Sequence, residues 1–163
     1  MNKLAISAAF LLALVSSAGA SLVLLDDAVL LNITLFCVQN SFDVVALMGG
    51  GFVAVWTGNL DNTAGLGGRL FGPDGQPVSG ELHLDGGTAP FAGEVAVAPG
   101  AGGGFILAWW EFQFTLPPLQ NRFALRTYDA GGQPLGAAVN VETAGVSPGI
   151  GLATDGAGRP AVA

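Results

Sequence analysis

Short apolar segments alternate with glycine-rich turns from residue 42 to the end of the chain. In the segment FVAVW, Phe52, Ala54 and Trp56 would share one face of a strand and the two valines the other, because successive side chains point to opposite faces. Both faces are apolar, so we expect this strand to be covered on both sides. The segment NRFALRTYD (121–129) places two arginines on one face, and we expect that face to be wet.

One phrase occurs twice in this pattern. GGGFVAVW occupies residues 49–56 and GGGFILAWW residues 102–110, and a glycine turn followed by Gln-Pro comes later in each copy. A third copy begins in SPGIGLATDGAGRPAVA. Self-similarity at a period of about 50 residues is typical of repeat architectures. The predicted units are repeat 1 at 42–92, repeat 2 at 93–146 and the truncated start of repeat 3 at 147–163.

Each full copy contains four strand signals. The predicted strands are 44–48, 52–57, 66–72 and 77–84 in repeat 1, and 94–98, 105–112, 121–129 and 134–142 in repeat 2. The turns PDGQ and AGGQ favour glycine at positive φ, and Pro77 and Pro134 begin strands, where a missing N–H is tolerated. The pattern predicts an all-β chain of four-stranded antiparallel meander repeats. They are propeller-blade-like and form an incomplete ring of two full blades plus the start of a third.

The phrases GGGFVAVW and GRLFGPDGQPVSGELHL resemble a repeat of secreted and surface bacterial proteins, GGGF-x-x-x-W followed by DGQP. The resemblance covers residues 42–163 and implies propeller-like blades in a large extracellular protein, without transferable catalytic residues. Repeat 2 departs from it by inserting EFQFTLPPLQN, and repeat 3 has Arg159-Pro160 where Gly-Phe is usual. Ring completion is expected from missing downstream blades or from oligomerisation.

Composition excludes several classes of protein. Hydrophobic residues make up 51% of the chain and charged residues 10%, which is too apolar for disorder. The net charge is −7, and only four arginines remain basic outside the N-terminal segment. So few cations cannot neutralise a phosphate backbone, which argues against nucleic acid and anionic lipid as partners.

The N-terminus predicts export. Residues 1–20 combine MNK, an apolar stretch and the small residues SSAGA, as a secretory signal peptide does, although a membrane anchor is the alternative. Residues 21–41 are an apolar lead-in segment with a possible single strand. A membrane segment at 22–38 is the other interpretation, against which Asp26 and Asp27 argue. We expect a secreted or cell-surface protein with no stable membrane span after cleavage.

The tryptophans are the first candidates for a binding site. Trp56 and Trp109 occupy equivalent positions and are expected in the core, although exposed tryptophans could stack on sugar rings. Trp110 points the opposite way from Trp109 and is the better candidate for a surface aromatic. The long connection that follows is predicted to form a partner-binding loop; alternatively, its phenylalanines extend the strands. The candidate residues are Trp110, Phe112, Phe114, Pro117 and Pro118.

Catalytic patterns are missing from the sequence. There is no G-x-S-x-G elbow, His83 is the single histidine and is expected at the surface, and Cys37 reads as a buried apolar side chain. Glu94 and Glu111 could serve a glycosidase, but nothing in the sequence brings them together.

We expect no cofactor, with calcium as the alternative. Acidic turn residues could supply oxygen ligands, although the EF-hand and nonapeptide spacings are absent. These turn residues are Asp61-Asn62, Asp74, Asp129 and Asp155.

Two functions from different classes fit these observations. The first is a non-catalytic extracellular β-repeat scaffold module for adhesion or protein interaction. The second is a fragment of an extracellular carbohydrate-binding or carbohydrate-active protein. The partner would accordingly be a protein or a glycan.

Overall fold

The computed structural model describes Leu31 and residues 39–60, 63–85, 92–112, 121–143 and 149–163. Strands form most of these segments, with a single 3₁₀ turn at Ala101–Gly103. The strands are β1 (Gln39–Ala46), β2 (Phe52–Leu60), β3 (Thr63–Phe71), β4 (Leu82–His83), β5 (Ala92–Pro99), β6 (Phe105–Phe112), β7 (Asn121–Tyr128), β8 (Val139–Thr143), β9 (Leu152–Thr154) and β10 (Pro160–Val162).

The strands form two antiparallel meanders and a hairpin. The first sheet has the order β1-β2-β3-β4, the second sheet β5-β6-β7-β8, and β9 pairs with β10. The predicted all-β fold of four-stranded antiparallel sheets is confirmed. The fourth strands are shorter than predicted, because Pro77 and Pro134 form only isolated bridges, to Phe71 and Tyr128. The chain rejoins each sheet as a regular strand only at Leu82 and Val139.

Each sheet has a front face and a back face that the repeat reproduces. The front face of the first sheet carries Phe52 and Trp56, and that of the second carries Phe105 and Trp109. Phe52 stacks on Phe71 across β2 and β3, with ring centroids 4.6 Å apart, and Phe105 stacks on Tyr128 at 4.9 Å. The same cross-strand aromatic pair therefore organises both front faces.

The two sheets stack front to back. One buried cluster joins the back face of the first sheet to the front face of the second. The first sheet contributes Val53, Val55, Leu66, Leu70 and Leu84, and the second contributes Val95, Val97, Phe105, Leu107, Trp109, Ala124 and Tyr128. Leu31, in the lead-in segment, packs against a smaller cluster on the opposite, front face of the first sheet. The apolar faces of β2 are thus both covered, as the alternation predicts.

Hydrogen bonds fix the alignment of neighbouring first strands. The Val97 N–H donates to Asp43 Oδ2 at 2.9 Å, and the Val95 N–H donates to Ser41 Oγ at 3.3 Å. Both pairs run in the same direction along β1 and β5, so the two first strands lie side by side and parallel. The Thr154 hydroxyl, on β9, donates to the Pro99 carbonyl of β5 at 3.0 Å. The third hairpin therefore continues the row of first strands.

One prediction about strand faces is wrong. The arginine-bearing face of β7 was expected in solvent, yet residues 122–128 are all buried or half-buried. That face carries Ala124 and Tyr128, which pack into the cluster between the sheets. The arginines are accommodated because each pairs locally: Arg126 lies over the Tyr128 ring, and Arg122 binds a carboxylate.

The predicted signal peptide at 1–20 and Cys37 lie outside the described residues. In the part of the chain that the structure describes, no helix is long and apolar enough to cross a membrane.

Candidate functional site

Among the described residues the same tight turn occurs at four places, 47–51, 72–76, 129–133 and 155–159. In each, the first residue's N–H donates to the carbonyl of the fifth, and the fourth residue's N–H donates to the carbonyl of the first. The fourth residue is always a glycine at positive φ, a conformation that disfavours side chains. These glycines are Gly50, Gly75, Gly132 and Gly158. Gly75 and Gly132 confirm the glycine requirement predicted for the turns before Gln-Pro.

These turns gather at one end of the sheets, which we call the rim. An open cleft of about 600 Å³ lies between the rim turns of the first sheet and those of the second. Its wall is apolar and includes Met48, Phe71, Pro73 and Val78. A second cleft, of about 420 Å³, separates the turn at 100–104 from the turn of the third hairpin. Met48, 80% exposed, lines both clefts.

The acidic side chains of the rim bond to the backbone of their own turns. Asp129 and Asp155 accept N–H bonds from their own turns, and Asp74 accepts the Gln76 N–H at 3.1 Å. The backbone N–H of Arg159 donates to the Asp155 carboxylate and is the main cause that holds the pKa of this carboxyl below its usual range. The hydrogen bond from the Arg159 side chain is the second cause. Across the described ranges, no group of three or more His, Cys, Asp and Glu side chains could hold a metal ion. Asp61-Asn62 lies outside them.

Trp110 is buried, so the expectation that it is a surface aromatic is wrong. Its side chain is only 1% exposed and meets Phe123 edge-on, with ring centroids 4.4 Å apart. It does point away from Trp109, as predicted, but the back face of the second sheet is itself covered. Ile106 and Ala108 on that face are equally buried. Alternation gave the direction of the side chain, whereas burial depended on what packs there.

The rest of the predicted partner-binding loop lies largely outside the described residues. Phe112 is the last residue of β6, in agreement with the alternative that it extends a strand. The structure does not describe Phe114, Pro117 or Pro118, so a binding role for that loop stays a prediction.

Trp56 and Trp109 are core residues, as predicted, at 3% and 2% exposure. The Trp109 indole N–H donates to Glu111 Oε1 at 2.9 Å, and Glu111 Oε2 pairs with Arg122 Nε at 2.5 Å. Glu111 is buried while Glu94 is exposed. Glu111 thus has a structural role as the link between an indole and a guanidinium, which occupies both its oxygens.

Tyr128 is a site residue that the sequence did not single out. Its hydroxyl donates to the carbonyl of Leu84, which directly follows β4, and so bonds the second sheet to the first repeat across their common core. Burial is the main cause that raises the Tyr128 pKa to about 12, and the nearby Asp85 charge adds to it; the neighbouring Arg126 acts in the opposite direction. The sequence feature that could have identified Tyr128 is its alignment with Phe71, because repeat 2 carries a hydroxyl where repeat 1 has none.

His83 is exposed, as predicted. Comparison with protein-family profiles, curated proteins and solved structures finds no match to this chain.

Proposed function

We propose that the chain is a non-catalytic extracellular β-repeat scaffold of propeller-like units that serves adhesion or protein interaction. The front-to-back stacking of the two sheets carries this proposal. Equivalent residues, such as the stacked pairs Phe52–Phe71 and Phe105–Tyr128, recur on both front faces. A unit that stacks on the next through repeated faces can be multiplied without inventing a new interface.

Propeller-like geometry is supported by the first strands. In a propeller, four-stranded meanders stack face to face around an axis. Here β1 and β5 lie side by side and parallel, and β9 hydrogen-bonds to β5, so the first strands gather in one place. Ring completion by further units or by oligomerisation belongs to the proposal, as do the repeat resemblance and the export signal.

The rim is the proposed contact surface. Its turns are short, set by backbone hydrogen bonds, and supported by rigid sheets, which is where binding residues are commonly placed. The cleft around Met48 and Val78 offers exposed apolar side chains for a protein partner. The carbohydrate alternative drew its main support from an exposed Trp110, and its burial removes that support.

An adhesion assay tests the proposal. Fluorescent beads coated with the full chain are flowed over immobilised extracellular proteins and glycans, and protease shaving of intact cells tests surface display. We expect retention on protein surfaces, reduced by Met48→Asp and unchanged by Val139→Asp, a substitution at another exposed residue. Retention confined to glycans, release of reaction products, or no retention at all would contradict the proposal.

A further inference from the structure

We infer that Arg159 and Pro160 prevent the outer edge of β10 from accepting a third strand in the register in which β2 and β6 each accept one. In the first sheet β2 pairs with β3, and in the second sheet β6 pairs with β7. Strand β10 is the counterpart of β2 and β6 in repeat 3. Arg159, directly before β10, and Pro160, its first residue, remove what the equivalent edges use to bind a strand.

The equivalence is fixed by hydrogen bonds of the turns. The Leu47 N–H donates to the Gly51 carbonyl, the Gly100 N–H to the Gly104 carbonyl, and the Asp155 N–H to the Arg159 carbonyl. Arg159 therefore occupies the position of Gly51 and Gly104. The next residues along the chain, Phe52, Phe105 and Pro160, are equivalent in the same way.

Glycine is required at the first of these positions wherever a third strand is present. A Cβ atom on Gly51 would lie 2.2 Å from the Phe71 carbonyl oxygen, and one on Gly104 would lie 2.1 Å from that of Tyr128. Both oxygens belong to the backbone of the third strand, so they cannot turn aside as a flexible side chain could. Arg159 brings a Cβ to this position, where a strand in the same register would place its carbonyl.

Proline removes a hydrogen-bond donor at the second position. The Ala163 N–H donates to the Gly151 carbonyl, towards β9. Successive backbone nitrogens of a strand point to alternate edges, so the nitrogens of residues 160 and 162 face the outer edge. Pro160 has no N–H, so β10 lacks an outward donor at the position where Phe52 and Phe105 each have one.

Charge and proline are devices by which natural sheets protect their edges from adding strands. Arg159 is held at this edge because its Nε lies 2.6 Å from Asp155 Oδ2. It follows that a further unit cannot complete the third hairpin in the register of the other two sheets. Growth of the stack would have to use another register or another face. This edge property is independent of the proposed adhesion function.

A strand-binding experiment tests the inference with a matched pair of variants. The probe is a fluorescein-labelled peptide NRFALRTYD, the β7 segment, titrated with the full chain and followed by fluorescence anisotropy. The variant R159G/P160A removes the Cβ and restores the donor. The control R159A/P160A restores the donor but keeps the Cβ.

We expect at least tenfold tighter peptide binding by R159G/P160A than by the control or the natural chain. In the complex, amide exchange at Val162 should slow, because its N–H would then be paired. Three results would each overturn the inference: binding to the natural chain that protects Val162, equal binding by the two variants, or no gain in R159G/P160A.

Discussion

Tyr128 and Phe71 occupy equivalent positions, and one oxygen atom separates their roles. The Tyr128 ring stacks on Phe105, and the Phe71 ring stacks on Phe52, in each case across to the neighbouring strand. Only Tyr128 lies between the sheets, where its hydroxyl reaches the Leu84 carbonyl. A buried hydroxyl must be hydrogen-bonded to avoid a desolvation penalty, and here the partner belongs to the other sheet. The residue thus couples packing within one sheet to contact between two.

Stability is expected to fall between pH 10 and pH 12 because of Tyr128. Its pKa is about 12 in the folded chain against an ordinary value of 10.0, so the folded state favours the neutral phenol. This contribution is complete below pH 10. Above it the unfolded chain loses the proton first, and the loss reaches about 2–3 kcal/mol by pH 12. Urea unfolding at pH 9 to 12 measures it.

The Tyr128→Phe variant is the control for that measurement. It keeps the ring and all other titrating groups, so the difference between the two chains reports the Tyr128 hydroxyl alone. Tyr128 is the single tyrosine of the chain, so tyrosinate absorbance reports this residue alone. A folded-state midpoint near pH 10, or an identical decline in the Phe variant, would show that the phenol is not buried as described.

At the scale of elements, the two first strands are joined by side chains rather than by a backbone ladder. Asp43 Oδ1 accepts the Val44 N–H at 2.8 Å, while Oδ2 accepts the Val97 N–H of β5 at 2.9 Å. The β5 edge thereby receives an acceptor for a backbone group that would otherwise lack one. The Asp43 carboxylate thus binds the backbone of the edge strands of both sheets and aligns β5 with β1.

Replacing Asp43 should therefore destabilise the contact between the sheets. We expect Asp43→Ala to cost about 1–3 kcal/mol in urea unfolding, since the Val97 N–H loses a charged acceptor. Asp43→Asn should recover part of that loss. Asp74→Ala is the matched control, because Asp74 is exposed and accepts the Gln76 N–H of its own turn. Equal effects at the two aspartates would count against a role for Asp43 between sheets.

At the scale of the molecule, a single apolar layer holds both sheets. Leu107 on the front face of the second sheet is fully buried and belongs to the same cluster as Val53 and Val55 of the first. Neither sheet buries this layer alone, because a two-sided sheet needs a partner on each apolar face. The sheets are therefore expected to unfold together.

Leu107→Ala should lower the free energy of unfolding by about 2–5 kcal/mol, the usual cost of a buried leucine cavity. Tryptophan fluorescence and far-UV circular dichroism should shift together, since all three tryptophans are buried in the two sheets. Leu135→Ala makes the same change at a residue 64% exposed and should stay within about 0.5 kcal/mol. Two separate transitions would mean that the sheets are independent units.

Much of this architecture was predictable because the same pattern of strands and turns occurs in both repeats. Period-two alternation located β2 and β6, and the glycine turns located the chain reversals, since both signals are local. The fourth strands were overestimated because Pro77 and Pro134 each form a single bridge before the chain leaves the sheet. The identical spacing in both copies explains why the same error occurs in each.

The candidate site was less predictable than the fold. Alternation assigned Trp110 and the β7 arginines to particular faces, but burial of a face depends on which other element packs against it. Glu111 and Arg122 face each other only because β6 and β7 pair in one register across a long connection. The sequence pattern therefore could not predict that Glu111 and Arg122 are paired.

The sequence by itself determined β2 and β6, the glycine turns before Gln-Pro and the equivalence of the copies, because these follow from interactions between residues close in the chain. Tertiary structure alone decided that the sheets stack front to back. It also decided that Trp110 is buried and that Tyr128 bonds to Leu84, because these contacts join residues far apart in sequence. The physical reason is that alternation specifies two faces for each strand but does not specify what covers them.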